Sequence, residues 1–285
     1  MDLLRNLYRE WRWKYFWNNF RLPEVSLQDL VPNQEPIKPV ITEKLCLPPY
    51  QGPTDHDDLD PLLRLIIHLK PHVILELGTA QGATIANICA LSDAKIYTVN
   101  ALPEQISGAI TTFVLSKDEI GFVYRKHGFS ERVVQIFENT KQMDLANYLG
   151  FDKVDFAIID ACHDIDYVIN DFLKVLPVLK DEGIVIFHDV QSNMQSYLGD
   201  SYVACMYLRR LGFNVCHLHG TWWGFWQRQS GLLHFSRGQR FVTFMENIFL
   251  KIIGYDMPRD ALHLRRIARI LATSKSGKHV LPDSP

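Results

Sequence analysis

VILELGTAQG, residues 73–82, runs from a wholly apolar strand through a carboxylate into a glycine-rich turn. Val73, Ile74, Leu75 and Leu77 make the continuous Val/Ile/Leu run expected of a strand buried on both faces. Gly78 and Gly82 then allow a tight turn, a close backbone approach to a ligand, and helix N–H groups aimed at that ligand. A helix follows over 83–91. Glu76, Gly78, Ala80 and Gly82 are spaced E-x-G-x-A-x-G, so the carboxylate precedes the glycines and the dinucleotide pattern G-x-G-x-x-G is absent. The segment reads as the grip for a nucleotide-like cofactor. The plainer alternative is a buried α/β strand that merely ends in a glycine turn.

Outward from this stretch, strands are predicted at 95–100, 132–139, 155–160 and 183–190, with helices at 116–128, 164–179 and 201–212. Strands alternating with helices give an α/β fold, a parallel sheet covered on both faces. The alternation breaks at FNVCHLH (213–219) and WWGFWQRQ (222–229), which are separated by only Gly220 and Thr221, the length of a hairpin loop. A Pro-rich connector (32–53) follows an N-terminal helical piece, and the text beyond 237 turns helical and basic again. The expected division is 1–60 (helix and connector), 61–230 (catalytic domain) and 231–285 (helical extension).

With 285 residues, 47% of them hydrophobic, the chain can bury a large core. No apolar run approaches the roughly 18 residues needed to cross a bilayer. Charges interrupt the N-terminal MDLLRNLYREW, which lacks the uninterrupted apolar stretch expected of a secretory signal. Five scattered cysteines without C-x-x-C spacing fit reduced thiols in a cytoplasmic protein. The net charge of −2 conceals +3 over 1–21, +5 over 237–285 and −10 between them. An acidic body argues against a nucleic-acid groove.

Asp160 ends the strand at 155–160 and Asp189 ends the strand at 183–190. In an open parallel sheet both belong at the rim where ligands collect. Two converging carboxylates without a basic neighbour repel unless a proton or cation lies between them, and a divalent ion is the favoured reading. Helix or turn capping is the alternative for each alone.

The E-x-G-x-A-x-G turn resembles motif I of the class I S-adenosylmethionine-dependent methyltransferases. IIDACHDIDYVINDFLKVLPVLKDEGIVIFHDV (158–190) is similar to the metal-dependent O-methyltransferase subset that includes macrolide-sugar methyltransferases and cephalosporin-hydroxylase-like proteins, with Asp160, His163, Gly183, His188 and Asp189 at the pattern positions. The resemblance implies a Rossmann-like methyltransferase fold, a seven-stranded, mostly parallel sheet with a final antiparallel hairpin strand. It implies S-adenosylmethionine held by Glu76 (amino acid end), Gly78, Ala80, Gly82 and Asp160. Asn100 stands where an acidic ribose ligand is usual, with Glu104 able to reach back for that role. Asn139 and Thr140 fall at the adenine edge or form only a strand-end turn. Asp160 and Asp189 would hold Mg²⁺ or Mn²⁺, with His163 as general base. His188 is open between ligand, substrate contact and strand-end imidazole, the last favoured.

These residues together imply methyl transfer to a hydroxyl oxygen of a small molecule, a sugar or natural product. The rivals are a metal-dependent hydroxylase or hydrolase on the same fold, and a non-catalytic cofactor-binding or membrane-attached scaffold. Leu3, Leu4, Leu7, Tyr8, Trp11 and Tyr15 recur at helical spacing beside Arg5, Arg9, Arg12 and Lys14. Such a helix either lies on an anionic membrane surface or packs on the body or a second copy of the chain in a homo-oligomer. Packing is the favoured reading.

Overall fold

The computed structural model describes residues 2–42, 58–106, 114–191 and 199–228, together with Ile248. The 231–285 extension apart from Ile248, the basic segment 259–271, Cys46 and residues 43–53 of the Pro-rich connector lie outside the described residues. Among the described residues eight strands form one sheet: β1 (Glu24–Val25), β2 (Val73–Leu77), β3 (Lys95–Val99), β4 (Val133–Ile136), β5 (Val154–Ile159), β6 (Leu179–Phe187), β7 (Cys216–Leu218) and β8 (Gly224–Gln227). The helices are α1 (Asp2–Phe20), α2 (Leu27–Leu30), α3 (Leu59–Leu69), α4 (Ala83–Leu91), α5 (Phe122–Lys126), α6 (Leu145–Leu149), α7 (Ile165–Val175) and α8 (Gly199–Leu211).

The spatial order is β1-β7-β8-β6-β5-β2-β3-β4. Only β8 runs antiparallel to its neighbours, inserting between β6 and β7. This is the Rossmann-like methyltransferase arrangement, with one correction: the sheet has eight strands, because Glu24–Val25 pairs in parallel with β7 at the edge. A two-residue strand flanked by proline offers no period to read, and only its partner reveals it.

Successive residues of the central strands feed opposite layers, as the two-residue strand period requires. Leu75 and Leu77, Ala157 and Ile159, and Val185 and Phe187 join α7 and α8 residues on one face. Ile74, Phe156, Ile158, Ile184 and Ile186 join α3 and α4 residues on the other. Burial on both faces explains why the strands read as unbroken apolar runs. The predicted helix at 116–128 shrinks to α5, because Gly121 adopts φ +71° and the residues before it form turns.

The N-terminal aromatics largely pack inward. Phe16 stacks on Tyr207 at 5.9 Å, and Trp13 and Trp17 meet Tyr202 at 5.6 and 5.8 Å. Buried Arg210 of α8 lies over the rings of Tyr15, Phe16, Phe20 and Tyr207. Leu7 and Trp11 remain half exposed. No helix among the described residues is long and apolar enough to cross a membrane.

Candidate active site

The C-terminal ends of β2, β3, β5 and β6 meet at one rim, and the sequence-selected residues gather there. Gly78 leaves β2 with φ +110°, and a Cβ on it would fall 1.9 Å from the Asp160 carbonyl oxygen. The glycine is thus required by the neighbouring strand's backbone, whatever ligand lies above it. Gly82 opens α4 with φ +81°, its missing Cβ leaving room for Tyr124 at 2.7 Å. Ala80 between them also takes positive φ, +45°.

Glu76 is buried, and its Oε2 accepts a hydrogen bond from the Thr98 hydroxyl at 2.7 Å. Thr98 faces it across the β2–β3 register. Since that hydroxyl donates to Glu76, Thr79 must donate to Thr98 at 2.7 Å, Gln135 Nε2 donates to Thr79 at 3.0 Å, and Tyr124 donates to Gln135 Oε1 at 3.1 Å. Every donor in this line points toward the Glu76 carboxylate. Burial pushes its pKa well above the usual range, the Thr98 bond opposing and the Asp160 charge adding to the rise. Oxygen Oε1 has no donor among the described residues. A cationic group would satisfy it.

Asn100 holds the loop rather than standing free: its Oδ1 accepts from Ala80 N at 3.0 Å and its Nδ2 donates to Ala101 O at 2.9 Å. One acceptor lone pair and one N–H remain for a ligand. Glu104 is exposed on a short turn, Pro103–Gln105. Asn139 is buried and donates to Gln105 O at 3.1 Å. Thr140 is buried too and bonds the Asp171 carboxylate of α7. The side chains of Asn139 and Thr140 therefore serve the protein's own packing.

Asp160 and His188 are each fixed by a main-chain bond, to Leu77 O at 2.8 Å and Ile159 O at 3.0 Å. Asp189 follows with φ +56°, a conformation costly for a residue with a side chain and typical of functional sites. His163 Nε2 lies 2.8 Å from Asp189 Oδ2 and 3.9 Å from Asp160 Oδ1. Ligand atoms of Asp160, His163 and Asp189 all fall within 4.8 Å of one another, a donor set that could hold a metal ion. Burial opposes charge on His163, but hydrogen bonds and charge from Asp160 and Asp189 outweigh it and lift its pKa to about 9. The value near 6.5 expected of a free imidazole is displaced by these two carboxylates. Burial likewise opposes ionisation of Asp189, and the two histidines reverse that and hold its pKa low.

Asp58, Thr98 and Gln135 belong to the site but were not selected from sequence. A polar threonine inside the apolar run KIYTV was the legible signal for Thr98. Asp58 carried none, since it stands in an acidic stretch of the connector. Its Oδ2 lies 2.6 Å from His188 Nε2, and its carbonyl accepts from Trp223 Nε1 at 2.7 Å. Trp223 packs edge-on to His188 at 4.5 Å, and Trp222 beside it is partly exposed.

Residues 75–190 match the family model described as a methyltransferase domain, about two-fifths of the chain. No curated protein matches the chain. Among solved structures it is similar to CalS11, a calicheamicin methyltransferase, at 17% identity and TM-score 0.47, covering 70% of this chain and 89% of that one. It is similar to the SAH-bound methyltransferase PaMTH1 of Podospora anserina at 16% and 0.43, covering 61% and 81%. The O-methyltransferase TomG of Streptomyces achromogenes, solved with SAM, is similar at 16% and 0.39, covering 57% and 75%.

Proposed function

Residues 75–190 are a methyltransferase domain, and from that premise we propose that the chain transfers the methyl group of S-adenosylmethionine to a hydroxyl oxygen of a small molecule with the help of a divalent cation. The observation that carries this reading is the convergence of Asp160, His163 and Asp189 at the rim that Glu76 and the glycine loop also border. The residues fit both groups. Glu76 offers the cofactor's ammonium the carboxylate oxygen that Thr98 does not bond, and the two hard carboxylates of Asp160 and Asp189 suit Mg²⁺ or Mn²⁺.

When bound, S-adenosylmethionine supplies a sulfonium-activated methyl group and the cation lowers the pKa of a coordinated hydroxyl. The protein's part is placement and proton removal. Glu76 orients the cofactor's amino acid end, and Asn100 holds the loop on which it lies. Asp160 and Asp189 would hold the cation. His163 faces the space they share, and its Nε2, when unprotonated, would accept the proton of the acceptor hydroxyl. Partly exposed Trp222, beside Trp223 and His188, gives a sugar or natural-product ring an aromatic surface to lie on.

The test is methyl transfer from labelled S-adenosylmethionine to a panel of sugars and phenols, with and without EDTA. Product heavier by one CH₂ unit, lost on chelation and restored by Mn²⁺, is the expected result. Full activity after chelation refutes the cation, and transfer to nitrogen or carbon refutes the acceptor class.

A further inference from the structure

The Asp58 carboxylate can only accept a hydrogen bond, so His188 Nε2, 2.6 Å away, carries the proton between them. That choice turns the other ring nitrogen into the site. His188 Nδ1 lies 3.2 Å from Asp160 Oδ1 and 3.4 Å from Asp189 Oδ1. Donors at about 2.1 Å from an octahedral cation stand about 3 Å apart, so these spacings suit neighbours in one coordination shell. Asp58 reaches this position because its main-chain oxygen is tied to Trp223 Nε1 and its Oδ1 accepts from Trp222 N at 3.3 Å. The residue thereby joins the start of α3 to the β7–β8 hairpin directly over the carboxylate pair.

We propose that Asp58 is a positioning residue that fixes the His188 ring, so that Nδ1 serves as a third donor to a cation held by Asp160 and Asp189. The inference rests on the cation reading above and deepens it, assigning His188 a place in the shell that a plain strand-end imidazole would not have. A carboxylate on the far nitrogen of a metal-binding imidazole orients the ring and raises its basicity, and removing such a partner typically costs about 10- to 100-fold in metal affinity.

Mn²⁺ titration of the full chain, followed by the electron paramagnetic resonance of the free ion, measures this without any methyl acceptor. Asp58→Ala, and Asp58→Leu, which keeps the branched shape, are expected to weaken Mn²⁺ about 10- to 100-fold. Asp58→Asn, whose side-chain oxygen still accepts from Nε2–H, should retain most of the affinity. His188→Ala should cost as much as Asp58→Ala, and the double variant no more than either, since the two act as one unit. Trp223→Phe removes the tether to the Asp58 carbonyl but leaves the Trp222 N bond to Asp58 Oδ1 and the His188 contact, and should weaken Mn²⁺ by much less than Asp58→Ala does. Binding of S-adenosylhomocysteine and circular dichroism should be unchanged throughout. Wild-type affinity in Asp58→Leu, additive losses in the double variant, or an equal loss in Trp223→Phe each overturn the proposal while leaving the cation reading intact. Failure of the wild type itself to bind Mn²⁺ removes both.

Discussion

Gly78→Ala separates two reasons for the first glycine of the loop, room for a ligand and room for the neighbouring strand. An ideal Cβ there lies 1.9 Å from the Asp160 carbonyl oxygen and 2.4 Å from its carbon, where ordinary contact begins at 3.4 Å. Strands β2 and β5 would have to part by about 1.5 Å, the length of a carbon–carbon bond. They would part where Asp160 N donates to Leu77 O at 2.8 Å, in the middle of the sheet. Overpacking of this kind costs about 1–3 kcal/mol, a side chain at φ +110° about 1–3 kcal/mol, and a disrupted buried main-chain bond about 1 kcal/mol. The expected loss is about 3–7 kcal/mol, a large part of the roughly 5–15 kcal/mol that holds a domain together. Urea unfolding followed by circular dichroism measures it as a lower midpoint at unchanged slope. In whatever fraction stays folded, Asp160 is displaced, so Mn²⁺ affinity should fall together with S-adenosylhomocysteine affinity. A loss below about 1 kcal/mol with cofactor binding alone impaired would refute the steric argument and return the glycine to a purely ligand-facing role.

Thr98→Val removes the hydroxyl at nearly constant volume and leaves both Glu76 and Thr79 without their bond. Unfolding free energy should drop by about 1–3 kcal/mol, and S-adenosylhomocysteine should bind more weakly by calorimetry; unchanged values for both would mean that the hydroxyl line does not act on Glu76. Asp189→Asn should abolish methyl transfer and mimic EDTA-treated wild type while S-adenosylhomocysteine still binds, whereas a surviving Mg²⁺-dependent rate would exclude Asp189 as a ligand. Asn100→Ala should weaken cofactor binding more than Glu104→Ala, because Asn100 holds Ala80 N while Glu104 is exposed, and the reverse order would place the ribose contact on the Pro103–Gln105 turn. Burial lifts the Asp171 carboxyl from 3.8 to about 6, opposed by bonds from Thr140 and Asn170. A raised folded-state pKa means stability that is present at low pH and lost as pH climbs through about 4 to 6. Asp171→Asn should flatten that decline, worth up to about 3 kcal/mol, and an equally steep profile in the variant would exclude Asp171 as its source.

The sheet's central strands were legible because burial on both faces leaves no alternation to misread: VILEL and VDFAII are apolar apart from Glu76 and Asp155, and the second half of β6 is apolar throughout. Glu76, the glycines, and the carboxylates of Asp160 and Asp189 were legible for a related reason. Each stands at or close to the end of such a strand, where parallel topology brings chain-distant residues to one rim. Edge strand β1 was not legible, since two residues gain strand geometry only from pairing with β7. The partners of the selected residues were equally hidden. Thr98 meets Glu76 through the β2–β3 register, and Asp58 meets His188 across 130 positions of chain. Local sequence determined which groups could bear charge or turn the chain, because those are properties of single residues and short runs. Tertiary structure alone decided the proton on His163, the orientation of His188 and the need for glycine at 78, because each depends on a distance between backbone or side-chain atoms that packing sets.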